Sequence, residues 1–242
     1  MSTVSLVIGA SGGIGRALVS QLAGAGRRVF ALSRSGQRDA SWPDSVIARA
    51  LDSGDEGSIA DFIEHLKDDG MSVELAVCTI GMLHGDVDGH AIFPEKKLEE
   101  LNATQLATYF SVNTIMPALW LKHLVSVVAD NATLVFLSAR VGSISDNRLG
   151  GWYGYRASKA ALNMMVKTAA VEYRRRTKNT TLVCYHPGTV DTGLSEPFQK
   201  NVKPEKLFEP DFTAKQLLTH IATLETEDSP HFIDWDGKVV SW

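Results

Sequence analysis

The chain has 242 residues and a mass of 26.3 kDa, which suffices for one large α/β domain with a substantial core. Its formal net charge is −4 and its basic residues are scattered, which argues against a nucleic-acid-binding surface. No apolar run approaches the ~20 residues of a membrane span, and no export signal is visible. Cys78 and Cys184 lie in apolar runs typical of buried thiols in a reducing compartment, so we expect a cytoplasmic protein.

The chain opens on a stretch that predicts a nucleotide site, Val4 to Gly15, with the sequence VSLVIGASGGIG. Its apolar run is typical of a strand buried on both faces, and a helical pattern begins directly after the glycine-rich turn. The unpaired backbone N–H groups and the dipole of that helix start attract an anion, and glycine lets a pyrophosphate approach the main chain. The alternative is an ordinary strand-to-helix turn. The residues predicted to contact the nucleotide are Gly9, Ser11, Gly12, Gly13, Ile14 and Gly15.

The glycines of this turn follow the spacing Gly-x-x-x-Gly-x-Gly, at Gly9, Gly13 and Gly15. This spacing resembles the signature of the short-chain dehydrogenase/reductase family, and the resemblance continues along most of the chain. It implies a doubly wound, Rossmann-type α/β fold with a mostly parallel seven-stranded sheet and helices on both faces. We expect one such domain over residues 1–242.

A second strand is expected from Arg28 to Leu32, and the next two residues, Ser33 and Arg34, stand where the choice of dinucleotide is made. An acidic residue there would bind the ribose hydroxyls, whereas an arginine accommodates a 2′-phosphate. Because Arg34 is present and an acid is not, the sequence favours NADP over NAD; the alternative is a solvated loop arginine. Past a third strand at Val46–Leu51, the family resemblance assigns adenine binding to Asp52.

A helix is expected from Gly57 to Lys67, and a fourth strand from Val73 to Ile80 that ends at Gly81. The family pattern at this strand end is Asn-Asn-Ala-Gly, but the chain has Cys-Thr-Ile-Gly. Only Gly81 is retained from that pattern as a cofactor contact, so the polar support of the strand end must come from other groups.

The following segment, His84 to His90, alternates two imidazoles with two carboxylates and so invites a metal-site interpretation. Against a metal, the positions are flanked by glycines and would need to be ordered, and no supporting partner for the ligands can be named. We therefore interpret the segment as a solvated loop and expect no metal.

Two helices are expected at Glu99–Val112 and Pro117–Val128, with Asn113 between them. The family resemblance implies that Asn113 kinks the helix and holds a water molecule in a proton relay; a plain capping asparagine is the alternative. A fifth strand at Ala132–Ser138 and a long helix at Gly154–Arg174 follow.

The long helix carries Tyr155 and Lys159, which are four residues apart and therefore lie on one face. A free tyrosine has a pKa near ~10, and a nearby cation that stabilises the phenolate lowers it towards neutrality. The pair thus predicts an acid/base tyrosine with a lysine that also holds the nicotinamide ribose. Tyr153 lies nearly opposite Lys159 on the helix and is not expected to be the acid/base.

The family usually places a serine directly after the fifth strand to hydrogen-bond the substrate carbonyl. In this chain Ala139 occupies that position, and Ser138 is expected to point to the opposite face of the strand. Loss of such a donor costs about 3–4 kcal/mol where it has been measured. Ser143, in the loop that follows, is the candidate replacement as a catalytic residue, with a backbone N–H group as the alternative.

After a sixth strand at Thr181–Tyr185, the run Pro-Gly-Thr-Val-Asp-Thr resembles the family's loop on the nicotinamide side. The cofactor contacts that the resemblance assigns to this loop are Pro187, Gly188, Val190 and Thr192. Residues 193–212 are irregular, contain three prolines and are predicted to form a substrate lid. A helix near Ala214–Leu224 and a final strand near Lys238–Ser241 complete the expected sheet.

The segments Leu134–Leu162 and His186–Leu194 resemble the C-factor and sniffer-like carbonyl reductase branch of the family. The resemblance implies an NADP(H)-dependent oxidoreductase that interconverts a small-molecule carbonyl and an alcohol, with Tyr155 as acid/base. It also implies a homodimer or homotetramer that pairs through the long helix. Because Ala139 replaces the serine, a nucleotide-binding regulatory or signalling protein with weak turnover is the alternative. A methyltransferase is a more distant one, since it would not need the tyrosine–lysine pair.

Overall fold

The computed structural model describes residues 2–87 and 89–242, along which strands and helices alternate. The strands are β1 (Ser2–Ile8), β2 (Val29–Ser33), β3 (Ile47–Ala50), β4 (Met71–Cys78), β5 (Gly85–Val87), β6 (His90–Ile92), β7 (Val128–Leu137), β8 (Thr181–His186), β9 (Thr189–Val190), β10 (Leu207–Phe208) and β11 (His231–Asp234). The helices are α1 (Gly13–Gly24), α2 (Glu56–Asp68), α3 (Ala103–Phe110), α4 (Met116–Leu124), α5 (Tyr153–Arg176) and α6 (Pro210–Ile221), with a π-helical turn at Ser111–Ile115 between α3 and α4. Asp88, in the segment interpreted as a solvated loop, lies outside the described residues, as does Met1.

Seven parallel strands form the central sheet in the order β11-β8-β7-β4-β1-β2-β3, which confirms the expected doubly wound fold. The winding reverses direction between β1 and β4. In open parallel sheets, ligands bind in the crevice outside the carboxyl ends of the strands at such a switch point. Two short pairs, β5 with β6 and β9 with β10, form separate two-stranded sheets.

The central sheet is buried on both faces because successive residues of each strand alternate between two helical layers. In β1, Leu6 and Ile8 pack in the core formed with α2, α4 and α5, whereas Val7 packs in the core formed with α1 and α6. Trp120 of α4 is fully buried, and its indole N–H donates to the Ser53 hydroxyl at 3.0 Å. With both faces covered by helices, the loops at the strand ends are left to form a site.

Most predicted elements are present close to their expected bounds, but the prediction of a final strand near Lys238–Ser241 is wrong. The seventh strand of the sheet is β11, and Val239 makes only an isolated antiparallel bridge to Ile233. Val240 is buried all the same, so the apolar pattern near the C-terminus reflects burial without strand pairing. Helix α3 begins at Ala103 rather than Glu99 because the Asn102 side chain caps it by accepting from the backbone N–H of Gln105.

Both cysteines are free and buried, as predicted. Burial raises the pKa of the Cys78 thiol to about 11 and raises that of Cys184 as well, so neither is a reactive thiolate near neutral pH.

Strand β7 begins at Val128, four residues before its expected start at Ala132, because its first residue pairs with Val73 of β4. Within residues 2–87 and 89–242, no helix combines the length and apolar character needed to span a bilayer.

Candidate active site

Loops that follow four neighbouring strands, β1, β4, β7 and β8, surround a cavity of about 730 Å³. Its lining includes Ile14 of the glycine turn, Gly81 after β4, Ala139 after β7, Pro187 after β8, and Tyr155 and Lys159 of α5. Motifs that are far apart in the sequence therefore meet at the switch point of the sheet, where the topology of the fold predicts a ligand site.

The glycine-rich turn after β1 leaves little room for side chains at Gly9, Gly13 and Gly15. Gly9 adopts φ +89°, a conformation that favours glycine, and a Cβ at Gly15 would lie 2.5 Å from the carbonyl oxygen of Gly9. A Cβ at Gly13 would lie 2.7 Å from Cγ2 of Thr192, so the turn also packs closely against the loop after β8. Helix α1 has no side-chain cap from the described residues at Gly12, which leaves the N–H groups of its first turn for an anion.

Thr79 provides the polar support that the missing asparagines leave open after β4. Its hydroxyl lies 2.9 Å from the carbonyl oxygen of Ile8 and 3.1 Å from that of Gly9, and so joins the end of β4 to the end of β1. The two strand ends approach so closely that a Cβ at Gly9 would lie 2.6 Å from this hydroxyl. In the sequence, this support is indicated by the hydroxyl side chain of Thr79, which stands where the family pattern has its second asparagine.

Tyr155 and Lys159 line the same cavity, as their spacing on α5 predicts. Nζ of Lys159 lies 6.0 Å from the centroid of the Tyr155 ring and donates to the carbonyl oxygen of Leu137 at 2.9 Å. The lysine side chain is almost fully buried, and a Cβ at Gly81 would lie 3.3 Å from Nζ. A side chain at position 81 would therefore press against the ammonium group.

Burial changes the pKa values of the two groups in opposite directions. Removal from water lowers the pKa of Lys159 to about 8 and raises the pKa of Tyr155 above its usual value. The pKa of the tyrosine is thus shifted opposite to the expected lowering, because burial disfavours the charged phenolate. Near neutral pH the phenol is protonated and is suited to donate a proton.

Asn113 lies in the π-helical turn between α3 and α4 and is fully buried. Its Oδ1 accepts from the backbone N–H of Met82 at 2.7 Å, and its Nδ2 donates to the carbonyl oxygen of Met82 and to Oγ of Ser158, both at 3.0 Å. Ser158 in turn donates to the carbonyl oxygen of Tyr155 at 2.8 Å. Asn113 is therefore not a helix cap but joins the loop after β4 to the helix of the tyrosine. Its role in holding a water molecule stays a prediction.

The hypothesis that Ser143 supplies the missing hydroxyl is not supported by its position. Ser143 is not among the described residues that line the cavity, and its hydroxyl accepts from the backbone N–H of Asp146 at 3.1 Å. A 3₁₀ turn at Arg140–Gly142 carries the chain away from the end of β7 and turns this serine into the following loop. Ala139 itself packs against Tyr155 in a small buried cluster. The assignment of Ser143 as a catalytic residue is therefore corrected.

Ser138 does not replace the missing hydroxyl either. It lines the cavity, but its hydroxyl donates to Oδ1 of Asn163 on α5 at 2.6 Å. This direction agrees with the expectation that Ser138 and Ala139 point to opposite sides of the strand. A backbone N–H group remains as the alternative donor.

On the β2–β3 side of the switch point, Arg34 and Asp52 are both exposed. Ser33 is buried, and its hydroxyl accepts from the backbone N–H of Gly36, which shapes the loop that follows. Arg38 of this loop is held by backbone carbonyl groups, whereas Arg34 makes no side-chain hydrogen bond with the described residues. The Arg34 guanidinium is therefore available to an anionic group of a ligand.

His186, at the end of β8, contributes a neutral imidazole to the cavity lining. Burial lowers its pKa to about 4, and its Nδ1 is buried without a hydrogen-bond partner among the described residues. An unpaired buried nitrogen of this kind marks a place where a ligand or water group is expected to bind. The predicted contacts of the following loop, Pro187, Gly188, Val190 and Thr192, all line the cavity as well.

A wall of aromatic side chains, which the sequence motifs did not indicate, forms another side of the cavity. The ring centroid of Trp152 lies 6.1 Å from that of Tyr155 and 5.1 Å from that of Phe198, and Phe198 lies 5.2 Å from Phe93. Trp152 has φ +52°, a left-handed conformation at the start of α5. The two glycines that precede Trp152 also have positive φ and were the one signal of this turn in the sequence.

Comparison with known proteins gives a family for this arrangement. The family described as short chain dehydrogenase matches residues 3–203. The 1-hydroxy-2-glutathionyl-2-methyl-3-butene dehydrogenase of Rhodococcus sp. (strain AD45) is 26% identical over 242 residues, which cover 100% of both chains. C-signal of Myxococcus xanthus is 29% identical over 147 residues, which cover 60% of this chain and 83% of that protein.

Two solved structures share the fold over the whole chain. NADPH-bound carbonyl reductase from chicken fatty liver has a TM-score of 0.83 at 24% identity, covering 100% of this chain and 96% of that one. Carbonyl reductase Sniffer of D. melanogaster has a TM-score of 0.82 at 19% identity, covering 100% of both chains. C-signal among the relatives agrees with the predicted branch. The chain belongs to the short-chain dehydrogenase/reductase family of oxidoreductases.

Proposed function

We propose that this protein is an NADP(H)-dependent oxidoreductase that interconverts a small-molecule carbonyl compound and an alcohol. The observation that carries the proposal is that Tyr155 and Lys159 line the same cavity as Ile14 of the glycine turn and Thr192 of the loop after β8. A substrate carbon held there has a proton donor and a dinucleotide site beside it. The names of the relatives and structural neighbours, a dehydrogenase and carbonyl reductases, agree with this class of reaction.

The residues of the cavity fit a nicotinamide dinucleotide, which supplies or accepts the hydride when bound. The tight turn at Gly9 and Gly15 lets a pyrophosphate reach the backbone N–H groups of α1. Exposed Arg34 would hold a 2′-phosphate, which favours NADP over NAD, and Asp52 would hold the adenine amino group. His186 lines the cavity directly before the loop that would hold the carboxamide.

The side chains of α5 perform the proton transfer in this proposal. In reduction, the protonated phenol of Tyr155 donates its proton to the carbonyl oxygen; in oxidation, the phenolate accepts it back. The Lys159 ammonium, oriented by the carbonyl oxygen of Leu137, stabilises the phenolate and holds the nicotinamide ribose. Asn113 keeps Tyr155 in place through Ser158 and holds the relay water.

Two further parts of the chain have roles in the proposal. Residues 193–212 act as a substrate lid, since several of them, among them Phe198, line the cavity. The outer side of α5 exposes Met164 and Met165, which are 61% and 44% exposed, and these adaptable side chains suit pairing of two copies in a homodimer or homotetramer.

A second candidate function is a nucleotide-binding regulatory protein with weak turnover. The observation that favours it is Ala139, because the hydroxyl that would polarise a substrate carbonyl is missing beside Tyr155. C-signal among the relatives agrees with a signalling role. The retained tyrosine and lysine favour the oxidoreductase.

Absorbance loss of NADPH with a panel of ketones and aldehydes separates the two candidates. We expect turnover of at least one carbonyl compound by the parent protein. Tyr155→Phe, which removes only the proton donor, should bind NADPH with an unchanged Kd and lower kcat by about 10²–10⁴-fold. A parent protein that binds NADPH and reduces nothing across the panel would favour the regulatory alternative.

A further inference from the structure

The lining of the cavity combines apolar side chains with exposed lysines. Its apolar side chains include Leu83, Phe93, Val141, Trp152, Phe198 and Val202. Lys96 and Lys200 line the cavity too, and both are exposed. Among the described residues, the lining contains no aspartate or glutamate, although the chain as a whole has a net charge of −4. The cavity is therefore locally basic in a chain with an acidic balance.

The two lysines come from separate segments that meet at one aromatic contact. Phe93 precedes Lys96 by three residues, Phe198 precedes Lys200 by two, and the two phenyl rings lie 5.2 Å apart. The Glu100 carboxylate accepts from the backbone N–H of Lys96 at 2.7 Å, but neither lysine ammonium forms an ion pair with a described residue. Both lysines thus line a cavity that contains this aromatic contact, and neither has a carboxylate partner among the described residues.

From this geometry we infer that the substrate is an apolar, aromatic-sized ketone or aldehyde that carries a carboxylate remote from its carbonyl group, and that Lys96 and Lys200 bind the carboxylate. The inference rests on the proposed function. The aromatic wall of Trp152, Phe198 and Phe93 covers the body of the substrate, while Tyr155 faces its carbonyl oxygen. Lys159 is not available for this role, since it is buried and bonded to Leu137.

Calorimetric titration of the NADP⁺-saturated protein with para-acetylbenzoate and with its methyl ester tests the inference. The two ligands share the carbonyl and the ring and differ in the charge. We expect the acid to bind roughly tenfold more tightly than the ester, since two exposed ion pairs contribute about threefold each. Lys96→Met and Lys200→Met should each remove about threefold from the affinity for the acid and leave the ester unchanged. The double variant should abolish the preference.

Lys97→Met and Lys215→Met are the controls, since these exposed lysines are outside both the lining and the lid and should leave both affinities unchanged. Equal affinities for acid and ester, no binding of either, or a preference that survives in the double variant would overturn the inference. Turnover is measured separately. Reduction of the ester without any preference for the acid would overturn the inference and leave the proposed function standing. A lysine-dependent preference together with no turnover of any compound of the carbonyl panel would overturn the proposed function and, with it, the assignment of the bound acid as a substrate.

Discussion

Oε2 of Glu95 accepts a hydrogen bond from the backbone N–H of Gly154 at 3.0 Å, at the start of the helix that carries Tyr155. The carboxylate is almost fully buried, and its Oε1 accepts from the side-chain amide of Gln105 at 2.6 Å. The backbone carbonyl oxygen of Glu95 also accepts from the N–H of Trp152. A buried anion at a helix N-terminus interacts favourably with the helix dipole, and here it fixes the first turn of α5.

Glu95 is therefore expected to be a positioning residue for Tyr155. Glu95→Gln keeps the size and shape of the side chain but replaces one acceptor oxygen by an NH₂ donor. That donor would then face either the backbone N–H of Gly154 or the side-chain amide of Gln105, both of which are buried donors. We expect the free energy of unfolding to fall by about 1–3 kcal/mol, because a buried donor loses its acceptor. We also expect kcat to fall roughly tenfold with an unchanged Kd for NADPH, because the tyrosine is displaced. Glu99→Gln, at an exposed position, is the control. Loss of stability with an unchanged kcat would show a purely structural role.

Lys159 is expected to reduce the stability of the folded protein. Burial lowers its pKa from 10.5 to about 8, so the folded state holds this charge at a cost wherever the lysine is protonated. Lys159→Met removes the cost of burying the charge but also removes the hydrogen bond to Leu137. We expect the net effect to be an increase of about 2 kcal/mol in the free energy of unfolding at about pH 7. The same change should abolish turnover.

The sign of the pH dependence follows from the direction of the pKa shift. Between about 8 and 10.5 the unfolded state binds more protons at this lysine than the folded state, so the parent gains stability relative to Lys159→Met as the pH rises. Urea unfolding of both proteins without cofactor, at about pH 7 and about pH 10, measures the difference. The advantage of the variant should shrink at the higher pH, and an advantage that stays constant would contradict the buried charge as its cause.

Ala139→Ser restores a hydroxyl beside Tyr155, and Ser143→Ala removes one that lies outside the cavity lining. We expect the first change to raise kcat for simple ketones by roughly tenfold, since a correctly placed donor stabilises the developing oxyanion. The second should leave kcat within about twofold and cost about 1 kcal/mol of stability through the lost bond to Asp146. Steady-state kinetics and urea unfolding measure both effects. A large drop in kcat for Ser143→Ala would mean that the loop moves when substrate binds.

Arg34 is expected to carry the preference for NADPH. Arg34→Ala removes an exposed guanidinium without a partner in the described chain and should weaken NADPH binding by about 10–100-fold, with NADH binding almost unchanged. Fluorescence titration with the two cofactors measures both affinities. Arg148→Ala, at another exposed loop position, should leave them unaltered. Equal affinities of the parent protein for NADPH and NADH would remove the basis of the prediction.

The sequence by itself was enough for the features that depend on local order along the chain. Strand and helix patterns predicted most of the individual elements, and the resemblance of the glycine turn to the family implied the doubly wound sheet. The four-residue spacing of Tyr155 and Lys159 placed both on one face of α5. The glycine turn could be recognised because neighbouring atoms lie so close to the backbone at Gly9 and Gly15 that few other residues fit at these positions. Each of these signals is contained within one segment.

The tertiary structure decided the features that depend on contacts between distant segments. Ser143 is only four residues from Ala139 in the chain, yet one 3₁₀ turn directs it away from the cavity. The support of β4 by Thr79 and the capping of α5 by Glu95 join elements that no periodic pattern connects. The same is true of the final strand, since several C-terminal segments are apolar but β11 is the one that pairs with β8. A residue pattern records which side chains avoid water, whereas the partner of each buried polar group is determined only when the chain has folded.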